Sequence, residues 1–92
     1  MGSWKKEGRI FSVDYDHRSM FPAFQFDVEG QPLPVIGRVL EILGQEVTGW
    51  GLALWFTAGN GWLDDRRPVD LLKSEPEEVE QAAEREVEEL FF

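Results

Sequence analysis

Cysteine is absent from this 92-residue chain. Its absence removes a disulfide framework, a thiolate nucleophile and a sulfur-ligated zinc site together, and it fits a reducing cytosol better than secretion. Histidine occurs once, at position 17, so a histidine-rich metal site is excluded as well. No apolar run approaches the ~20 residues that span a bilayer; the longest is Leu52 to Phe56. The start, Met1-Gly2-Ser3-Trp4-Lys5-Lys6, leads into Glu7, Gly8 and Arg9 and not into the apolar core of a signal peptide. A soluble, unanchored, cytoplasmic protein is expected. Bases are few, nine Lys+Arg against eighteen Asp+Glu, and the net charge of −9 argues against nucleic acid, whose phosphates must be neutralised by cations.

The acidity is concentrated at one end. From residue 74 to 92 there are eight glutamates and a single base, Arg85, whereas the first 73 residues carry ten acids and eight bases. At this length a chain forms one domain, 1–92, and buries only about 60–65% of its unfolded surface, which leaves little room for an internal active-site cavity. Four tryptophans and seven phenylalanines are therefore more than a small interior needs. Excess aromatic surface marks a contact site.

Periodicity assigns the elements. Residues 9–15 alternate, with Phe11, Val13 and Tyr15 on one face, and 20–28 alternate again, with Met20, Pro22, Phe24, Phe26 and Val28 opposed to Ala23, Gln25 and Asp27. With a turn at Asp16 to Ser19 this predicts an antiparallel hairpin over 9–28, which must pack on helices or pair with a second copy. Val35, Ile36, Val39, Leu40 and Leu43 then follow helical spacing, and Gly44 stops the run. A second helix carries Trp50, Leu54, Trp55 and Ala58, with Thr48 as its N-cap, Trp50 and Trp55 facing the core, and Gly59-Asn60-Gly61 as its end. Gly49 and Gly51 in its first turn suggest a close backbone approach. Pro68 opens a short helix, and Ser74-Glu75-Pro76-Glu77 matches a capping box before a helix with a Val79, Ala82, Ala83, Val87, Leu90 stripe. The expected fold is α+β, an N-terminal antiparallel β-hairpin packed on a small bundle of three to four helices over 33–92.

Few constellations carry chemistry. His17 lies among Asp14, Asp16 and Arg18, but no nucleophile or ligand cluster accompanies it, and a polar turn accounts for it. Glu77, Glu78, Glu80 and Glu84 read as a solvated helix face before they read as cation ligands. Arg66 and Arg67 beside Trp62 form the one basic-aromatic cluster; they either meet a partner's anion or pair with Asp64, Asp65 or Asp70.

The stretch Gly61-Trp62-Leu63-Asp64-Asp65-Arg66-Arg67-Pro68-Val69-Asp70-Leu71-Leu72, followed by Pro76, Val79 and Ala82-Ala83, resembles the toxin-binding domain of Xre/MbcA/ParS-type antitoxins. The preceding helix, Trp50 to Phe56, is similar to the segment before this motif, and the resemblance covers the C-terminal half to two-thirds of the chain. It implies an inhibitor without enzymatic activity or cofactor, which binds a cognate toxin of the NAD-degrading RES-domain or ADP-ribosyltransferase type. The contact residues expected on this basis are Trp62, Arg66 and Arg67, with Glu84, Glu88, Leu90, Phe91 and Phe92 of the acidic final helix. Typical members carry an N-terminal helix-turn-helix; here the hairpin stands in its place, available for homodimerisation or for the toxin. The family's usual domain keeps a second reading open, a transcriptional regulator or DNA-associated dimer contacting DNA through Lys5, Lys6, Arg9, Arg66 and Arg67.

Overall fold

The structure, a computed structural model, describes residues 2–44 and 46–90 of the chain. Its fold is α+β. Helix α1 (Gly2–Lys6) precedes the strands β1 (Val13–Tyr15) and β2 (Arg18–Met20), which form a two-stranded antiparallel hairpin; α2 (Pro34–Leu43), α3 (Trp50–Thr57), α4 (Pro68–Leu71) and α5 (Pro76–Leu90) follow. Single turns of 3-10 helix at Ala23–Gln25 and Gly61–Leu63 interrupt the connections.

The hairpin is shorter than the alternation over 9–28 predicts, because residues 9–12 and 21–28 do not pair as strands. Val13 faces Met20, Asp14 faces Ser19 and Tyr15 faces Arg18, so the loop is Asp16-His17 alone. Both residues take left-handed φ, 51° and 63°, the geometry that two-residue hairpin loops require. Gln25, expected on the solvent side of a strand, is instead fully buried. Its Oε1 accepts from the Phe11 amide at 2.7 Å, and its Nε2 donates to the carbonyls of Phe11 at 3.0 Å and Pro22 at 3.1 Å. One side-chain amide thus does for Phe11 what a neighbouring strand would do, and the ladder is not needed there. Val28, expected on the apolar face, is 95% exposed in a loop that the Asp27 carboxylate closes by accepting from the amides of Glu29 and Gln31.

Pro34 opens α2 where its missing N–H costs nothing, and Val35, Ile36, Val39 and Leu43 are buried on one face. That face packs on Val79, Ala82 and Ala83 of α5, whose small side chains let the two helices approach closely. Phe11 and Val13 from the N-terminal third, Leu52 and Phe56 of α3, and Leu63, Leu71 and Leu72 complete one apolar cluster. Phe56 is fully buried and lies 5.8 Å from the Phe11 ring in a stacked pair. Helix α1, which no periodicity signals, is followed by Gly8 with a left-handed φ of 76° that turns the chain out of it, and its Trp4 ring lies 6.1 Å from Phe26, with the Arg9 guanidinium 6.0 Å from the ring centre.

Two helix starts differ from the reading of the sequence. Gly49, not Thr48, caps α3: its φ of 53° with ψ of −122° suits glycine, and its carbonyl accepts from Leu52 and Ala53. A Cβ on Gly51 would lie 2.8 Å from Cγ1 of Val47, so the crowding there comes from a side chain and not from a backbone. At α5 the carbonyl of Glu75 accepts from Glu78 and Val79 with Pro76 as the first helical residue, which shifts the start one position beyond the Ser74 capping box.

Candidate functional site

Helix α3 is apolar on every side, Trp-Gly-Leu-Ala-Leu-Trp-Phe-Thr, yet only Leu52 and Phe56 are buried in the core. A helix with that composition must find cover on more than one side. Trp50, expected in the core, is 58% exposed, because its indole Nε1 reaches out to donate to the Asp14 carbonyl at 2.9 Å. Leu54, one turn on, is 66% exposed. Trp55 is half-buried: its ring meets Phe56 edge-on at 5.2 Å, and its Nε1 donates to a Glu86 carboxylate oxygen at 3.3 Å.

Beyond α3 the chain doubles back through the motif that carried the resemblance. Asn60, 7% exposed, organises the loop: its amide donates to the Arg66 carbonyl, its carbonyl accepts from Leu63 and Asp65, and its Oδ1 accepts from the Trp62 amide at 2.8 Å. Asp64 and Asp65 take left-handed φ of 58° and 66°, which reverses the chain. A Cβ on Gly59 would meet the Asp65 carbonyl oxygen at 2.9 Å, so only glycine lets the two sides of the loop close. Leu63, Pro68, Leu71 and Leu72 point inward and anchor the loop to the core, while Trp62 is left 44% exposed.

The two arginines are braces. Arg66 donates from Nε to the Leu63 carbonyl and pairs with Glu75 at 2.9 Å, tying the loop to the start of α5; the acids nearest in sequence, Asp64 and Asp65, are not its partners. Arg67 makes a two-pronged contact with Asp70, 2.9 Å on each side. Those hydrogen bonds, and then the charge attraction, raise the Arg67 pKa; the hydrogen bond from Arg67 lowers that of the Asp70 carboxyl. Both side chains are exposed, so the pair orients the entry to α4 more than it stabilises the fold.

Trp62 stands where the loop meets α5. The Arg85 guanidinium lies 5.5 Å from its ring centre, a cation–π contact. Glu88 and Glu89 border the same depression. On the other side, an open groove of about 690 Å³ runs between α3, the loop and the C-terminal half of α5, and Leu54, Trp55, Gly61, Trp62, Glu86 and Glu89 line it. Of the residues expected at the contact, the fold brings Trp62 and Glu88 together. Arg66 and Arg67 are engaged by Glu75 and Asp70, and Glu84 is exposed one turn before Glu88 but borders neither hollow. The Leu90 side chain, Phe91 and Phe92 lie outside the described residues. Leu54, Arg85 and Glu86 belong to the site but carry no motif signal; Asn60 is legible in the sequence only as part of a helix stop, and Glu89 only as a charge that opposes the helix dipole.

His17 is exposed in the hairpin loop. Among the described residues no group of three or more His, Asp or Glu side chains is placed to hold a metal ion. None of the described helices is long and apolar enough to cross a membrane. Comparison with protein-family models, curated proteins and solved structures gives no match to this chain.

Proposed function

We propose that the chain is a protein-binding module of the antitoxin kind, which holds a cognate toxin inactive in the cytoplasm and catalyses nothing itself. The toxin is of the NAD-degrading RES-domain or ADP-ribosyltransferase type, and the glutamate-rich face of α5 would enter its basic nucleotide cleft in place of substrate phosphates. The observation that carries this reading is the placement of Trp62. The braced Trp62 to Leu72 corner holds an exposed indole against the acidic C-terminal helix, so that aromatic area and negative charge share one surface. The residues that resemble the antitoxin motif are the ones that build this corner.

Co-purification with the product of the adjacent gene tests the reading, using the full chain and a variant that ends at residue 85. The full chain retains the partner and suppresses its NAD consumption; the shortened chain retains much less. Failure of the full chain to bind refutes the reading. Equal binding by the shortened chain removes the end of α5 from the mechanism.

A further inference from the structure

The groove beside Trp62 combines apolar walls with charge of a single sign. Among the described residues its only ionisable lining groups are Glu86 and Glu89, and no described base lines it. Leu54, Trp55 and Trp62 supply apolar and aromatic area. Carboxylates around indole rings are the surroundings that hold an ammonium or guanidinium group. The fold already shows this affinity internally, since Arg85 is 5.5 Å from the Trp62 ring centre in the neighbouring hollow.

Two further observations separate the groove from an accident of packing. Glu89 lies in the last turn of α5, where a negative charge opposes the helix dipole, so helix stability is no reason for it. Gly61 has neither a left-handed φ nor, among the described residues, a neighbour within 4 Å of where a Cβ would lie. Among the described residues no contact requires glycine at that position, which lines the groove.

We infer that the groove receives a segment of the partner protein in which an apolar side chain, seated against Leu54, Trp55 and Trp62, is flanked by Lys or Arg that pair with Glu86 and Glu89. Charge complementarity selects this occupant, because an acidic segment would be repelled by both carboxylates and a neutral one would cover Glu89 without a counter-charge and leave Glu86 only its hydrogen bond from the Trp55 indole. The inference rests on the reading of the chain as a protein-binding module. It adds that the body of the protein receives a basic segment, in addition to offering its own acidic helix.

The test uses the full chain labelled with nitrogen-15 and follows the four indole N–H signals. The probes are a short amphipathic peptide of Leu, Lys and one Trp, the same peptide with Glu for Lys, and the same with Ala for its apolar residues. The Lys peptide is expected to shift Trp55 and Trp62 and to leave Trp4 unmoved, while the other two peptides bind at least about tenfold more weakly. Gly61→Leu, which keeps every charge, and Glu89→Lys are each expected to weaken the Lys peptide by about tenfold or more with a melting temperature no lower than that of wild type. Equal binding of the Glu peptide, undiminished binding by Gly61→Leu, or no shift at Trp55 and Trp62 overturns the inference. Adding the adjacent gene product separates the two proposals: if it binds wild type and Gly61→Leu alike, the groove fails and the module reading stands; if it binds neither while the Lys peptide still shifts the groove indoles, the reverse holds.

Discussion

Replacing Gln25 by Leu removes an amide of similar bulk from the place where it substitutes for a strand. The three hydrogen bonds to Phe11 N–H, Phe11 C=O and Pro22 C=O are lost together. The first two leave buried backbone groups unpaired, at about 1–3 kcal/mol each, and the added apolar burial offsets part of this. A net loss of about 3 kcal/mol is expected, which for a domain of this size is a fall in melting temperature of roughly 12–24 °C. Differential scanning calorimetry on purified wild type and variant reads it directly. Gln25→Glu provides a second test of the same geometry. A buried carboxylate there would face the Phe11 and Pro22 carbonyls, so its folded pKa must rise above the unfolded value of about 4.3. The penalty is then absent below pH ~4, where both states are protonated, and grows as pH rises above the unfolded pKa. A Gln25→Leu variant that melts within about 2 °C of wild type, or a Gln25→Glu variant equally stable at pH 4 and pH 7, would refute the reasoning.

Gly59→Ala forces a Cβ to 2.9 Å from the Asp65 carbonyl and is expected to cost about 1–3 kcal/mol in urea unfolding, whereas Gly61→Ala, in open space, stays within about 0.5 kcal/mol of wild type. Asn-Gly in place of Asp16-His17 relieves two left-handed residues and should raise stability by about 1 kcal/mol, with partner binding unchanged; loss of binding would place the hairpin loop at the partner contact. Asp70 has a folded pKa below its unfolded value, so its contribution is complete above about pH 4 and is lost as pH falls through the folded pKa. Asp70→Asn should therefore flatten a small part of the acid limb of the stability profile and leave the region near pH 7 parallel to wild type.

The sequence discloses those parts of the molecule where one periodicity acts alone. α2 buries the face its spacing predicts, α5 buries Val79, Ala82 and Ala83 of its predicted stripe, and Pro34, Pro68 and Pro76 stand at the helix starts because proline loses nothing there. The 9–28 alternation misleads because an apolar period of two also suits an irregular segment pinned at intervals by Phe11, Phe24 and Phe26, and Gln25 supplies the missing ladder through contacts 14 residues apart. Trp50 misleads for another reason: helical spacing places it on a face, but α3 is apolar on all faces, so spacing does not say which one the core takes. At the site, Trp62 and its braced loop are visible as a contiguous motif. Arg85, Glu86 and Glu89 look like ordinary members of a solvated glutamate helix until the fold sets them beside Trp55 and Trp62.

On the proposed reading, this chain meets its partner at the surface shared by α3, the Trp62 loop and the end of α5. Hydroxyl-radical footprinting of the chain, free and in complex with the adjacent gene product, tests it most directly. Protection of Leu54, Trp55 and Trp62 is expected, with Tyr15 and Met20 of the hairpin unchanged. Protection confined to the hairpin, with Leu54 and Trp62 as reactive in the complex as in the free protein, would contradict it.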